Sequence, residues 1–119
     1  VISIHCNLTD ETTNLINEVT IKLMDKNSIL INTARGPVIN EDDLFEALQS
    51  GAFHSVGLDV YHDEPPLVNR DELLSHPRVI ATGHYAWYSM GASVEVQKRA
   101  ANNLLAMLQG KIPEDCLNP

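Results

Sequence analysis

The stretch Ser28-Ile29-Leu30-Ile31-Asn32-Thr33-Ala34-Arg35-Gly36-Pro37 decides the fold. Its unbroken run of Ile29, Leu30 and Ile31 fits a parallel strand covered on both faces better than an alternating surface strand. Arg35-Gly36-Pro37 then ends the strand. Ligands of open α/β sheets sit at the carboxyl ends of the strands. Arg35 therefore stands where an anion could be held.

Two later segments close in the same way. Val56-Gly57-Leu58-Asp59-Val60 runs on to Glu64-Pro65-Pro66, and Val79-Ile80-Ala81-Thr82-Gly83-His84 ends on a histidine. An arginine, a glutamate and a histidine can together hold a carboxylate, polarise a carbonyl and move a proton. The spacing predicts one site assembled from three consecutive strand ends.

Around these ends the chain alternates strand and helix. Val1 to His5 reads as a first strand, and Asn17 caps a segment from Glu18 to Met24. Asn40 caps a second helix whose first turn carries Glu41, Asp42 and Asp43, charges that suit the positive end of the helix dipole. Gly51 ends it. Strands are expected at about Ser55 to Val60 and Arg78 to Ala81. A long helix follows from about Ser89 to Gln109, with Val94, Ala101, Leu104, Leu105 and Leu108 as its apolar stripe. The expected fold class is α/β: the three-layer α/β/α half of a Rossmann-type parallel sheet of about four strands.

Composition narrows the function. Hydrophobic residues make up 44% of the 119, enough for a core. The formal charge of −8 argues against direct nucleic-acid or anionic-membrane binding. No apolar run approaches the roughly 20 residues that cross a bilayer. Cys6 and Cys116 lack metal-ligand spacing and read as reduced thiols of a cytoplasmic protein, with no metal site. No glycine-rich G-x-G-x-x-G phosphate turn is present, and the chain opens directly on a strand. A larger parent protein is therefore expected.

Asn32-Thr33-Ala34-Arg35-Gly36, Leu58-Asp59-Val60 with Glu64-Pro65, and Thr82-Gly83-His84 closely resemble the second half of the nucleotide-binding domain of the D-isomer-specific 2-hydroxyacid dehydrogenases. Ile4-His5-Cys6-Asn7-Leu8-Thr9, with Thr13 and Leu15-Ile16-Asn17, is similar to the family's earlier strand–loop motif. The resemblance spans nearly the whole chain in the family's order. His84-Tyr85-Ala86-Trp87-Tyr88-Ser89 and Gly110-Lys111-Ile112-Pro113 resemble the branch of C-terminal-binding-protein corepressors.

The resemblance implies that residues 1–119 are the C-terminal part of a dinucleotide-binding domain, with the glycine-rich first half and the substrate domain outside it. It implies NAD as cofactor, with NADP not excluded, and a small 2-hydroxy or 2-keto acid as substrate. His84 would carry the proton, Glu64 would favour its protonated form, and Arg35 would bind the substrate carboxylate. Asp59 would accept from the nicotinamide carboxamide. His5, Cys6, Asn7, Leu8, Thr33, Ala34, Arg35, His84, Ala86 and Trp87 would line the cofactor. Two positions depart from the family pattern: Gly83 stands where proline usually precedes the histidine, and Asn7 fills another proline position. Gly83 would place His84 less firmly.

Each residue also has a plainer reading. Alone, Arg35 fits a surface turn, Asp59 a turn cap, Glu64 an exposed loop acid and His84 a structural histidine. Trp87 fits either a core aromatic or the border of a substrate pocket. His54, His62 and His76 read as surface or loop residues. Two functions compete: a nicotinamide-dependent dehydrogenase, and a nicotinamide-sensing corepressor-like dimer. The 119 residues alone are expected to lack activity and to self-associate as a homo-oligomer through the long helix.

Overall fold

The computed structural model describes residues 1–52, 54–66 and 71–118. The elements in chain order are β1 (Ile2–Ile4), α1 (Glu18–Ile21), β2 (Ile29–Asn32), a 3-10 turn (Gly36–Val38), α2 (Glu41–Ser50), β3 (Ser55–Leu58), α3 (Asp71–Leu74), β4 (Val79–Ala81) and α4 (Met90–Leu108). The four strands form one parallel sheet in the order β1-β2-β3-β4. This is the α/β parallel sheet expected from the sequence.

Caps fix the helices. Asn17 accepts from the backbone N–H groups of Val19 and Thr20, and the Thr20 hydroxyl accepts in return from the Asn17 N–H. The helix stops at Ile21, short of the expected Met24, because the next residues close as tighter three-residue turns, Leu23 N–H to Thr20 and Met24 N–H to Ile21. Asn40 caps α2, and Gly51 at φ 74° ends it, with the Ala52 N–H reaching back to the Ala47 carbonyl. Asp43 also accepts from the Glu18 N–H at 2.9 Å, so α2 caps α1.

The strand register puts Ile4, Leu30, Asn32, Val56 and Leu58 on one sheet face, and all five are buried. Leu44 and Leu48 of α2, Ile21 of α1 and Val38, Ile39 and Tyr61 complete that core. Each fully buried leucine contributes about 2–3 kcal/mol. The opposite face carries Ile29 and Ile31, half-buried, and Ile80, 73% exposed. β2 was expected to be covered on both faces. It is buried on one, because α1 and α2 both pack on the Leu30 side.

The chain divides into two compact units, one ending at Ala86 and one starting at Trp87. In the second unit, Ser89 caps α4, no residue of α4 is buried, and Leu104, Leu105, Met107 and Leu108 are exposed. Arg99 pairs with Glu95 (2.8 Å) and with Asp115 (3.2 Å), which ties the segment after α4 back onto the helix. No described helix is long and apolar enough to cross a membrane.

Candidate active site

Arg35, Glu64 and His84 each follow a strand of the parallel sheet: β2, β3 and β4. Parallel pairing brings these carboxyl ends to one edge, as the spacing predicted. The closest contact is between His84 Nδ1 and Glu64 Oε2, at 2.6 Å. The other Glu64 oxygen accepts from the Tyr61 N–H at 3.1 Å. The His84 hydrogen bond, the Tyr61 amide and the charges of His84 and Arg35 outweigh burial and hold Glu64 below the usual carboxylate range. Both side chains stay partly open to solvent, at 44% and 36% exposure.

His84 sits in a left-handed conformation with φ 57°. For a non-glycine residue that costs about 1–2 kcal/mol. Asp59, only 4% exposed, offsets the cost. Its Oδ1 accepts from the Thr82 hydroxyl (2.5 Å) and the Tyr85 N–H (3.1 Å), and its Oδ2 accepts from the Ala86 N–H (2.9 Å). Burial pushes the Asp59 carboxyl up, but the bonds from Thr82, Ala86 and Tyr85, with the His84 charge, win and hold it below its ordinary value. A buried carboxylate thus organises the turn that presents His84. A methyl added at Gly83 would lie 3.2 Å from the Tyr85 ring, so that ring occupies the space beside the glycine.

The turn after β2 is braced from beneath. Asn32 is fully buried; its Oδ1 accepts from the Ala34 N–H (3.0 Å) and its Nδ2 donates to the Arg35 carbonyl (2.9 Å). Arg35 is exposed and donates to the Ala34 carbonyl at 2.6 Å. Gly36 permits a close approach: a Cβ there would lie 1.9 Å from the Tyr61 carbonyl carbon and oxygen. The β2 turn and the β3 loop therefore touch backbone to backbone. Glu41, expected only as a dipole-compensating acid of α2, is buried and accepts from the His62 N–H at 2.7 Å. Tyr61 is buried, and its hydroxyl donates to the Thr82 carbonyl at 2.6 Å. Sequence reasoning did not single out Asn32, Glu41 or Tyr61, because their partners lie across turns or as far as 21 residues away.

His5, Cys6, Asn7, Leu8, Thr33, Ala34 and Arg35 line an open cleft of about 410 Å³ above β1 and β2. That volume suits part of a cofactor. The donor set fits a dinucleotide: loop backbone with Cys6, Thr33 and Ala34 for close approach, one guanidinium, and no carboxylate among the described lining residues. Asp59 is not part of this lining, and both its oxygens accept bonds within the His84 turn. Ala86 contributes its N–H to Asp59. Trp87 belongs to the second unit, where it meets Tyr88 edge-on at 5.5 Å. His54 and His62 are exposed and His76 half-buried, as expected for surface and loop histidines. Cys6 and Cys116 are free thiols. No cluster of metal-ligating side chains occurs among the described residues.

Residues 1–86 match the family model described as D-isomer specific 2-hydroxyacid dehydrogenase, NAD binding domain. The chain is 42% identical to a glyoxylate/hydroxypyruvate reductase B of Serratia proteamaculans, over 94% of this chain and 34% of that protein. It is 39% identical to the reductase of the same name from an Enterobacter species, with the same coverage of 94% and 34%. Among solved structures, the D-lactate dehydrogenase of Aquifex aeolicus, complexed with NAD and lactic acid, superposes with a TM-score of 0.84 at 33% identity, over 91% of this chain and 37% of that one. The chain thus spans about a third of the length of the curated relatives it matches.

Proposed function

The chain belongs to the D-isomer specific 2-hydroxyacid dehydrogenase family through its NAD-binding domain, and from that membership we propose that the full-length protein moves a hydride between a nicotinamide cofactor and the C2 carbon of a small D-2-hydroxy or 2-keto acid. The reading rests on the 2.6 Å contact between His84 and Glu64 beside the Arg35 turn. Bound NAD(H) would supply the hydride chemistry. The residues of this chain supply the rest.

With Nδ1 turned to Glu64, Nε2 of His84 is the nitrogen assigned the proton transfer: to the keto oxygen in reduction, from the hydroxyl in oxidation. Glu64, held ionised, fixes the ring and stabilises the imidazolium that oxidation produces. Arg35 receives the substrate carboxylate and its charge stabilises developing negative charge on oxygen. His5, Cys6, Asn7, Leu8, Thr33 and Ala34 border the cofactor, and Asp59 and Ala86 meet its carboxamide end. Residues 1–119 supply the proton-transfer half of the site, and the phosphate-binding turn and substrate lid come from the remaining length that the relatives possess. Two free thiols fit the reducing cytoplasm. The exposed leucines of α4 support self-association of the protein. The reductase names of the relatives support an enzyme over a corepressor-like binding protein.

The test is oxidation of NADH and NADPH by the full-length protein with glyoxylate, hydroxypyruvate or pyruvate. His84→Ala is expected to lower kcat by about 10²–10⁴ while NAD binding, followed by calorimetry, persists. Activity that needs no 2-keto acid, or full activity of His84→Ala, would overturn the reading.

A further inference from the structure

We propose that Tyr61 is a positioning residue that sets the spacing between Glu64 and His84. The proposal rests on the dehydrogenase reading above and deepens it. Tyr61 touches all three strand-end segments of the site. Its backbone carbonyl packs against Gly36, beside Arg35, so closely that no Cβ fits between them. Its N–H donates to Glu64 Oε1 at 3.1 Å. Its hydroxyl donates to the carbonyl of Thr82, two residues before His84, at 2.6 Å, with the Leu58 carbonyl at 3.2 Å. The residue is 8% exposed, so core packing fixes the distance between its two polar ends.

The geometry makes one rigid span. Glu64 is fastened to one end of Tyr61 and the strand leading to His84 to the other. The histidine–carboxylate contact then has little freedom to lengthen. Burial and the charges of Asp59 and Glu64, with Tyr85 nearby, raise the Tyr61 hydroxyl above its ordinary range against the lowering bond to Thr82. It therefore remains a protonated donor at neutral pH. Among the described residues, the groups facing Glu64 are His84, Arg35 and the Tyr61 amide. Tyr61→Phe keeps the ring and the amide and removes only the hydroxyl's ties to the Thr82 and Leu58 carbonyls.

In the full-length protein, Tyr61→Phe is expected to lower kcat about three- to tenfold, the worth of one hydrogen bond. KM for NADH should stay within about twofold, because Tyr61 does not line the cleft. Loosening the His84 bond lets Glu64 return toward the ordinary carboxylate range, so the Glu64 carboxyl titration, followed by carbon-13 NMR and assigned by its loss in Glu64→Gln, should move to higher pH. In a Glu64→Gln background the Tyr61→Phe loss should vanish. Equal losses in both backgrounds, or an unmoved Glu64 titration, overturn the proposal. The titration needs no turnover, so it judges Tyr61 even if the keto-acid assay defeats the dehydrogenase reading. If Tyr61→Phe does not fold, an ortho-fluorinated tyrosine in place of Tyr61 keeps the hydroxyl but ionises at lower pH. Hydroxy-acid oxidation, in which neutral His84 is the base, should then fail at lower pH than in the unmodified protein, and an unchanged profile overturns the proposal.

Discussion

Above β1 and β2, His5, Asn7, Leu8, Thr33 and Arg35 stand exposed around an open cleft. Above β3 and β4, Asp59 and Tyr61 are buried and bonded to Thr82, Tyr85 and Ala86. The two regions share one sheet edge but solve different problems. The side chains of the first region keep to the surface and bond only to near neighbours in the chain, as Arg35 does to the Ala34 carbonyl. A proton carrier needs its position settled beforehand, since small displacements cost rate steeply. The polar groups above β3 and β4 are accordingly committed to one another.

Gly36 lies on the seam between the two regions and carries the largest effect. Gly36→Ala drives a methyl into the Tyr61 backbone. It should destabilise the fold by about 3 kcal/mol, read by urea unfolding. A wild-type midpoint would mean that the seam yields and that the regions are independent.

Asp59→Asn probes the committed side. Replacing an acceptor by an amide that faces N–H donors should cost about 2 kcal/mol of folding stability. It should also alter the pH dependence. The folded protein holds the Asp59 carboxyl below its unfolded value, so the contribution is full above the ordinary carboxylate range near pH 4 and is lost as pH falls through the folded value. The variant should lose less stability than wild type on acidification across that window. Identical acid limbs would show that Asp59 is not the titrating support of the His84 turn.

Asn7→Ala probes the open side and should do least. Stability should stay within about 0.5 kcal/mol, and KM for NADH should rise about two- to threefold with kcat unchanged. A stability loss matching that of Asp59→Asn would erase the contrast.

The strands and helix caps were legible because their signals are local. Ile29-Leu30-Ile31, Asn40 and Gly51 each declare an element within a few residues. The 3-10 turn at Gly36–Val38 and the four-residue α3 were not read, since neither is long enough to show a period. At the site, the residues able to do chemistry were legible by type and order. The residues that hold them were not. Glu41 looked like a helix-dipole acid and turned out to grip the His62 amide. Asn32 looked like the end of a strand and turned out to brace the Arg35 turn. The Glu41 bond spans 21 residues and depends on what folding brings alongside, whereas the Asn32 bonds reach only Ala34 and Arg35 and carry the local signal of an asparagine turn.

The contact between Gly36 and the Tyr61 backbone has a consequence for recombining relatives. It makes the β2 turn and the β3 loop one hereditary block, although α2 separates them in the chain. A chimaera joined within α2 would seat one parent's turn against another's loop and inherit whatever misfit lies between them. Junctions placed before β2 or beyond Pro66 would pass the block on intact.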